Sequence, residues 1–394
     1  MIFNRKKFIK SIGALSLLTT VNSTKAFSQV AKSEEFNFTS LPYLQNFTTD
    51  YITIFSTFNK PCFAWLELID QKGNIQETIY QTNDGMRNAN SDLFKFKVSH
   101  KDQNFKYRVV AKEILKFQAY KIEYGKTIQS DIFETKLPLA KGKTIELLIL
   151  NDIHEYQPSY SDLYKASTLA RKDLVILNGD CLHHVDTKED IIHKLNKPVA
   201  AAFGATTPFI LNRGNHETRG PFARDFKAYF EYPMDKFYQA FTMGSLYVIL
   251  LDSGEDKPDN HEVYGGTTDY DGYRSEQKEW LSKMLLSEER KKAKHTVIIT
   301  HIPWIHSDDW HGTKHNYASF HELANNHKVD AVISGHTHKY GFHVPNKEHN
   351  YYVIIGGSPK VGERTFVEIT ADKTSITLNL KNEDGRLINS FTKN

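Results

Sequence analysis

Apolar positions fall into two different rhythms along the chain. From about residue 36 to residue 138 they alternate with polar ones. Ile52, Ile54 and Phe58 form one such run, Phe94, Phe96 and Val98 a second, and Phe105, Tyr107 and Val109 a third. Period-two alternation predicts strands with one buried face. Turn-forming clusters at Lys72-Gly73-Asn74 and Asn83-Asp84-Gly85 separate the runs. About a hundred residues of short alternating strands predict an N-terminal all-β sandwich over 36–138. Nothing in it has catalytic spacing, and its aromatic residues read as core.

After a short linker at 139–143 the rhythm changes. The stretches 146–150, 174–177, 209–211, 248–251, 297–299 and 331–333 contain continuous apolar runs. Such runs predict strands covered on both faces, hence an α/β region over 144–394. Trp280, Leu281, Met284 and Leu285 share one face of a predicted helix over 275–286. Residues 366–369 and 375–380 predict a closing hairpin. At the N-terminus, Arg5, Lys6, Lys7 and Lys10 precede a short apolar stretch at 12–21 and the small residues Ala26 and Ser28. This predicts an export signal over 1–28, a mature chain from Gln29, and a periplasmic or secreted location. The stretch is too short to span a bilayer, and no later one is apolar for long enough.

Composition narrows the function classes. A length of 394 residues suggests two domains. With 25% charged and 40% hydrophobic residues, a largely disordered chain is excluded. A net charge of +3, without a dense basic run after the first ten residues, argues against a nucleic-acid scaffold. Two cysteines, Cys62 and Cys181, exclude a disulfide framework and a cysteine-rich zinc module. A bridge between them would have to join separate domains and is not expected. Histidine changes the picture most, since 17 of the 18 lie at or after His154. Histidine is the commonest metal ligand and a frequent acid or base, so the chemistry belongs to the C-terminal region.

Polar residues cluster where the buried runs end. Run 146–150 leads into Asn151-Asp152-Ile153-His154, and run 174–177 into Asn178-Gly179-Asp180. Run 209–211 is succeeded by Gly214-Asn215-His216-Glu217, run 297–299 by Thr300-His301, and run 331–333 by Gly335-His336-Thr337-His338. Ligands of open α/β sheets bind at the carboxyl ends of strands. Carboxylate and imidazole donors suit Zn, Mn or Fe without any thiolate. In an extended segment, Asp152 and His154 point the same way, as do His336 and His338, so each pair offers two ligands. Two divalent ions outweigh two aspartates and a hydroxide, and the resulting positive site favours an anion such as phosphate.

This ordered set resembles the calcineurin-like metallophosphoesterase family over more than half the chain. The resemblance implies two sheets flanked by helices in four layers, with two metals at the strand ends. It also implies the ligands. Asp152, His154, Asp180 and His338 would hold the first ion, and Asp180 would bridge to a second completed by Asn215, His301 and His336. His216 matches the family histidine that contacts phosphate and protonates the leaving group, while a metal-bridging hydroxide attacks phosphorus. The segment Leu41-Pro42-Tyr43-Leu44-Gln45-Asn46 is similar to the start of the fibronectin-like domain of purple acid phosphatases. In those enzymes a tyrosine three residues after the Gly-Asp aspartate binds ferric iron. Here that position is His183, and the first motif carries His154, a pattern that implies two divalent ions (Mn, Zn or Fe) and no tyrosinate colour.

Some neighbours have two readings. Arg213 and Arg219 can clamp a phosphate oxygen or form structural ion pairs. Trp304 is either a substrate wall or part of a packed loop. His183 and His184 are partners of the ligands or exposed loop residues. The expected function is an exported dinuclear-metal hydrolase of small phosphate esters, monoesters foremost. A phosphodiesterase or nucleotidase on the same site is the alternative enzyme, and a non-catalytic surface binding protein the alternative class. All seven candidate ligands are present, which disfavours the last.

Overall fold

The computed structural model describes residues 34–46, 51–99, 103–137 and 144–394. The expected export signal at 1–28 and linker at 139–143 lie outside the described residues. In the C-terminal region two sheets face each other. The first has a parallel centre made of Ile145–Leu150, Leu174–Asn178 and Phe209–Asn212. Its antiparallel flank is Thr365–Ala371, Ile376–Asn382 and Leu387–Lys393. The last of these strands extends the expected hairpin by one. The second sheet runs Gln239–Met243, Leu246–Leu251, His295–Thr300, Ala331–Ser334, Tyr352–Ile355 and Gly341–His343.

The layering accounts for the unbroken apolar runs. Odd residues Leu147 and Ile149 of the first strand meet Val248, Val297 and Ile333 between the sheets. Even residues Leu148 and Leu150 face outward onto Tyr160 and Leu163 of helix Pro158–Ala166, and onto Leu195 and Phe203 of the helical run 190–204. The outer face of the second sheet is covered by Leu281 and Leu285 of helix Tyr270–Leu285 and by Phe320 and Ala324 of the helical run 311–326. Both faces of these strands therefore have apolar partners, and the four layers expected from the sequence are present. Helix Tyr270–Leu285 starts earlier than its apolar face implies because Asp269 caps it, accepting from Gly272 N at 3.2 Å. No helix among the described residues is long and apolar enough to cross a membrane.

The N-terminal region is β-rich, but its central strand is not short. Tyr51–Ile69 is one strand of 19 residues. Its first part pairs with Ser91–Ser99 and its second with Lys106–Gln118. Pro61, which has no N–H to give, lies where the register to Ser91–Ser99 shifts, between Thr57 and Cys62. Ile52, Ile54, Cys62, Ala64 and Leu66 pack on Phe94, Phe96, Tyr107 and Val109. Both cysteines are free and buried in different cores.

One short strand ties this region to the other. Tyr43–Gln45 pairs antiparallel with residues 53–55 and runs parallel beside Phe209. The first sheet thereby continues into the N-terminal strands as one sheet of 13. Tyr43 is fully buried, with its ring 5.3 Å from Phe55 and 6.0 Å from Phe209. Its hydroxyl donates to Tyr229 O (3.0 Å) and accepts from Asn196 Nδ2 (2.9 Å). Asn46 Nδ2 donates to Glu231 O and Gln239 Oε1.

Candidate metal centre

Five strands from the two sheets end at one place. Their last polar residues form two compact groups of possible metal ligands, Asp152 with His154 and His338, and Asp180 with His301 and His336. His154 Nε2 is 2.9 Å from His338 Nε2, and His338 Nε2 is 3.5 Å from Asp152 Oδ1. Asp180 Oδ2 lies between the groups, 3.0 Å from His301 Nε2 and 3.6 Å from His154 Nε2. Asn215 Oδ1 is 3.1 Å from His336 Nδ1. All seven residues singled out in the sequence are thus brought together.

The backbone that does this is not extended, contrary to the expectation from side-chain alternation. Asp152 (φ 54°), His154 (43°), Asp180 (53°), His336 (71°) and His338 (54°) are left-handed. The turn at each strand end sends His336 to one group and His338 to the other, instead of pairing them. Such conformations cost L-residues about 1–3 kcal/mol each and persist only where the surroundings hold them. Part of the holding is visible. His336 N donates to both Asp152 oxygens (3.0 and 2.9 Å), and His216 N donates to Asp180 Oδ1 (3.0 Å). Two glycines allow close approach. A Cβ on Gly179 (φ 84°) would stand 2.5 Å from His301 Nδ1, and one on Gly357 (φ 101°) would collide with Asp152 Oδ2.

Two further supports were not singled out in the sequence. Glu217 is fully buried and accepts four backbone amides, from Asp180 (2.9 Å), Cys181 (2.7 Å), Leu182 (3.0 Å) and Gly214 (2.9 Å). It fastens the loop bearing Asp180 to the loop bearing Asn215. Burial and the Asp180 charge push its carboxyl up to about 7, while the amide donors favour the anion. Asn178 donates to Asn151 Oδ1 (2.8 Å) and Asn212 to Asn178 Oδ1 (2.7 Å), which levels three strand ends. The available signal was an asparagine after each of these apolar runs.

Charge and burial suit divalent cations. Among the described residues only histidines lie within 4.0 Å of the Asp152 and Asp180 carboxylates as counter-charges. Burial disfavours the charged form of His154, taking it down to about 4, and also lowers His336, so both rings keep free lone pairs. Against its burial, His301 is raised to about 10 by Asp180, and Asp180 is held well below the usual carboxylate range by His301. His301 Nε2 is nonetheless buried without an acceptable hydrogen bond, while Nδ1 is fixed on Asn178 O at 2.8 Å. An imidazole nitrogen facing two carboxylates without a hydrogen bond, its other nitrogen oriented by a carbonyl, is a donor arrangement that suits a metal ion.

His216 stands at the edge of both groups. Its Nδ1 is 2.8 Å from His183 O, which can only accept, so Nδ1 carries hydrogen and Nε2 faces the site. Nε2 is 3.1 Å from Arg219 Nη1 and 3.9 Å from Asp180 Oδ2. Burial lowers the His216 pKa, Asp180 opposes this, and Arg219 adds to it. Arg219 is held bidentately by Glu255, at 2.8 and 2.9 Å. Of the other sequence candidates, His183 joins His154 and His216 in a third compact group of possible ligands, while the rest stand apart. Arg213 is buried on Asp252 (2.9 and 2.6 Å). Trp304 is buried in the outer core, donating to Tyr351 Oη at 2.8 Å. His183 Nδ1 lies 3.2 Å from His154 Nδ1, whereas His184 is exposed beside Asp186.

Residues 145–340 match the family model described as calcineurin-like phosphoesterase. This stretch belongs to the calcineurin-like phosphoesterase family. The chain is similar to purple acid phosphatase 22 of Arabidopsis thaliana, with 28% identity over 210 residues, 50% of this chain and 44% of the relative. It is also similar to purple acid phosphatase 21 of the same plant, with 28% identity over 175 residues, 43% and 38% of the two chains. The chain thus spans less than half the length of these curated relatives. The purple acid phosphatase PPD1 of yellow lupin (Lupinus luteus) shares the fold, with a TM-score of 0.66 at 16% identity, over 89% of this chain and 73% of that one. That likeness extends through the N-terminal strands as well as the calcineurin-like region.

Proposed function

We propose that the protein is a metal-dependent hydrolase of small phosphate esters, monoesters foremost, and that it acts outside the cytoplasm. The observation that carries the reading is the pair of buried ligand groups with Asp180 between them, set at five strand ends of a calcineurin-like region. Asp152, His154, Asp180 and His338 would hold one divalent ion. Asp180, Asn215, His301 and His336 would hold the other. When bound, the ions supply Lewis acidity toward phosphate oxygens and an activated water.

The chain's own residues have separate tasks. With Nδ1–H committed to the His183 carbonyl, His216 turns Nε2 to the site, and its imidazolium form delivers the Nε2 proton to the leaving-group oxygen. Arg219 beside it makes the imidazolium a stronger acid and presents charge to the phosphate. Glu255 keeps Arg219 in place. His183, in the position of the purple acid phosphatase tyrosine, supports a pair of divalent ions (Mn, Zn or Fe). Export is inferred from the basic run, apolar stretch and small residues within 1–28.

The test is elemental analysis of purified protein together with turnover of a panel of phosphomonoesters and diesters. About two ions per chain and preferential monoester turnover support the proposal. Metal-free protein with no turnover after Mn, Zn or Fe is supplied refutes it, and preferential diester turnover moves the substrate class.

A further inference from the structure

Arg219 has a second environment. It forms part of the wall of a cavity of about 1070 Å³ that also includes Arg224, Phe237, Tyr264, Tyr270 and Tyr273. This space exceeds what a phosphate group needs and has the size of a small-molecule site. Six basic side chains line it, and five have a carboxylate within 4.0 Å. Arg224 has none among the described residues, and its Nη2 makes only a 3.4 Å hydrogen bond to Thr267 O. The Tyr264 and Tyr273 hydroxyls are buried and have no hydrogen-bond partner. The cavity therefore offers aromatic faces, one unmatched guanidinium and two uncommitted phenols.

We propose that this cavity is a leaving-group subsite, and that it takes a planar leaving group bearing its own negative charge. The inference rests on the phosphoesterase reading, which it deepens. A leaving group departs on the side of the acid that protonates it. His216 Nε2 is 3.1 Å from Arg219 Nη1, and Arg219 is part of the cavity wall, so the acid and the cavity adjoin through this side chain. A flat ring stacks on tyrosine and phenylalanine faces. The other five cations are paired, and the Asp269 carboxylate in the wall caps its helix through Gly272 N, so Arg224 is the charged group left to meet a ligand. A carboxylate or second phosphate on the ring meets the guanidinium in a charge-assisted hydrogen bond.

The experiment compares 4-carboxyphenyl phosphate with 4-carbamoylphenyl phosphate, which match in shape and differ in leaving-group charge. The expected kcat/KM ratio is about five- to tenfold in favour of the carboxylate, the scale of a partly exposed charged contact. Arg224→Gln should bring the ratio close to one, and Arg224→Glu should invert it. A ratio near one in the unaltered protein, or one that neither variant changes, overturns the subsite. Calorimetric binding of the two corresponding phosphonates separates the two readings. If neither ester turns over but the carboxylated phosphonate binds more tightly through Arg224, the phosphoesterase reading fails and takes the leaving-group role with it, while the cavity's preference for a charged ring stands. Equal binding of the two phosphonates overturns the subsite.

Discussion

Replacing Glu217 by Gln probes the frame of the site without touching a ligand. The change is nearly isosteric, so packing is preserved. An anionic Glu217 accepts from four amides, two per oxygen: Cys181 and Leu182 on Oε1, Asp180 and Gly214 on Oε2. An amide nitrogen cannot accept, so whichever oxygen it replaces leaves two buried N–H groups unpaired. Each orphaned buried donor costs about 1–3 kcal/mol, so the expected loss is about 2–6 kcal/mol. That is a large share of the ~5–15 kcal/mol by which domains are stable. Urea unfolding of the metal-free protein at pH 8 measures it directly, with the midpoint falling at constant slope. The variant should also bind metal more weakly, because the Asp180 loop loses its anchor. A loss below about 1 kcal/mol would refute the argument, since it would mean that Glu217 is already a neutral acid or that the amides have other acceptors.

Three further outcomes are expected. Asp180→Ala should lose both ions by elemental analysis, because its carboxylate lies between the two ligand groups, and retention of two ions would exclude a bridging role. His216→Ala should keep both ions and slow an alkyl phosphate by about 10²–10⁴-fold, with less effect on a nitrophenyl ester that needs little protonation. Equal slowing on both esters would remove its acid role. Glu368 is buried, which works against its charge, but Lys381 Nζ at 2.8 Å, Ser167 Oγ at 2.9 Å and Thr168 N at 2.7 Å lower its pKa. Its contribution is therefore present above the ordinary glutamate pKa and lost as pH falls through the depressed value. Glu368→Gln strands a buried Lys381 and should cost about 3–5 kcal/mol at pH 7, and less at pH 3, in paired urea titrations.

The candidate metal centre was legible because each candidate ligand sits where an apolar run stops, and the layered fold brings those stops together. The runs also predicted strands covered on both faces, and the family resemblance implied the four layers. Less legible were features that depend on partners far along the chain. Arg213 turns to Asp252 and Trp304 to Tyr351, and neither separation carries a local signal. The left-handed turns at five ligands contradict the alternation rule, because tertiary contacts and nearby glycines override the local preference of Asp and His. Glu217 was visible beside His216, but its four amides are apparent only once two loops are adjacent. The alternation at Ile52, Ile54 and Phe58 covers only the first part of the strand Tyr51–Ile69, whose second part lies beyond Pro61.

The Tyr43–Gln45 strand has a consequence for dissecting this protein. Composition and rhythm suggest a cut at the linker before residue 144, yet such a fragment would lack the strand that lies beside Phe209. It would expose the flank of a central parallel sheet, a template for intermolecular pairing. It would also empty the space filled by the Tyr43 ring and leave the Tyr229 carbonyl and Asn196 amide without their shared hydroxyl. The apparent boundary in the sequence is therefore not a mechanical one. The calcineurin-like half is completed by residues at the start of the β region, so excising or exchanging modules should carry residues 36–46 along with that half.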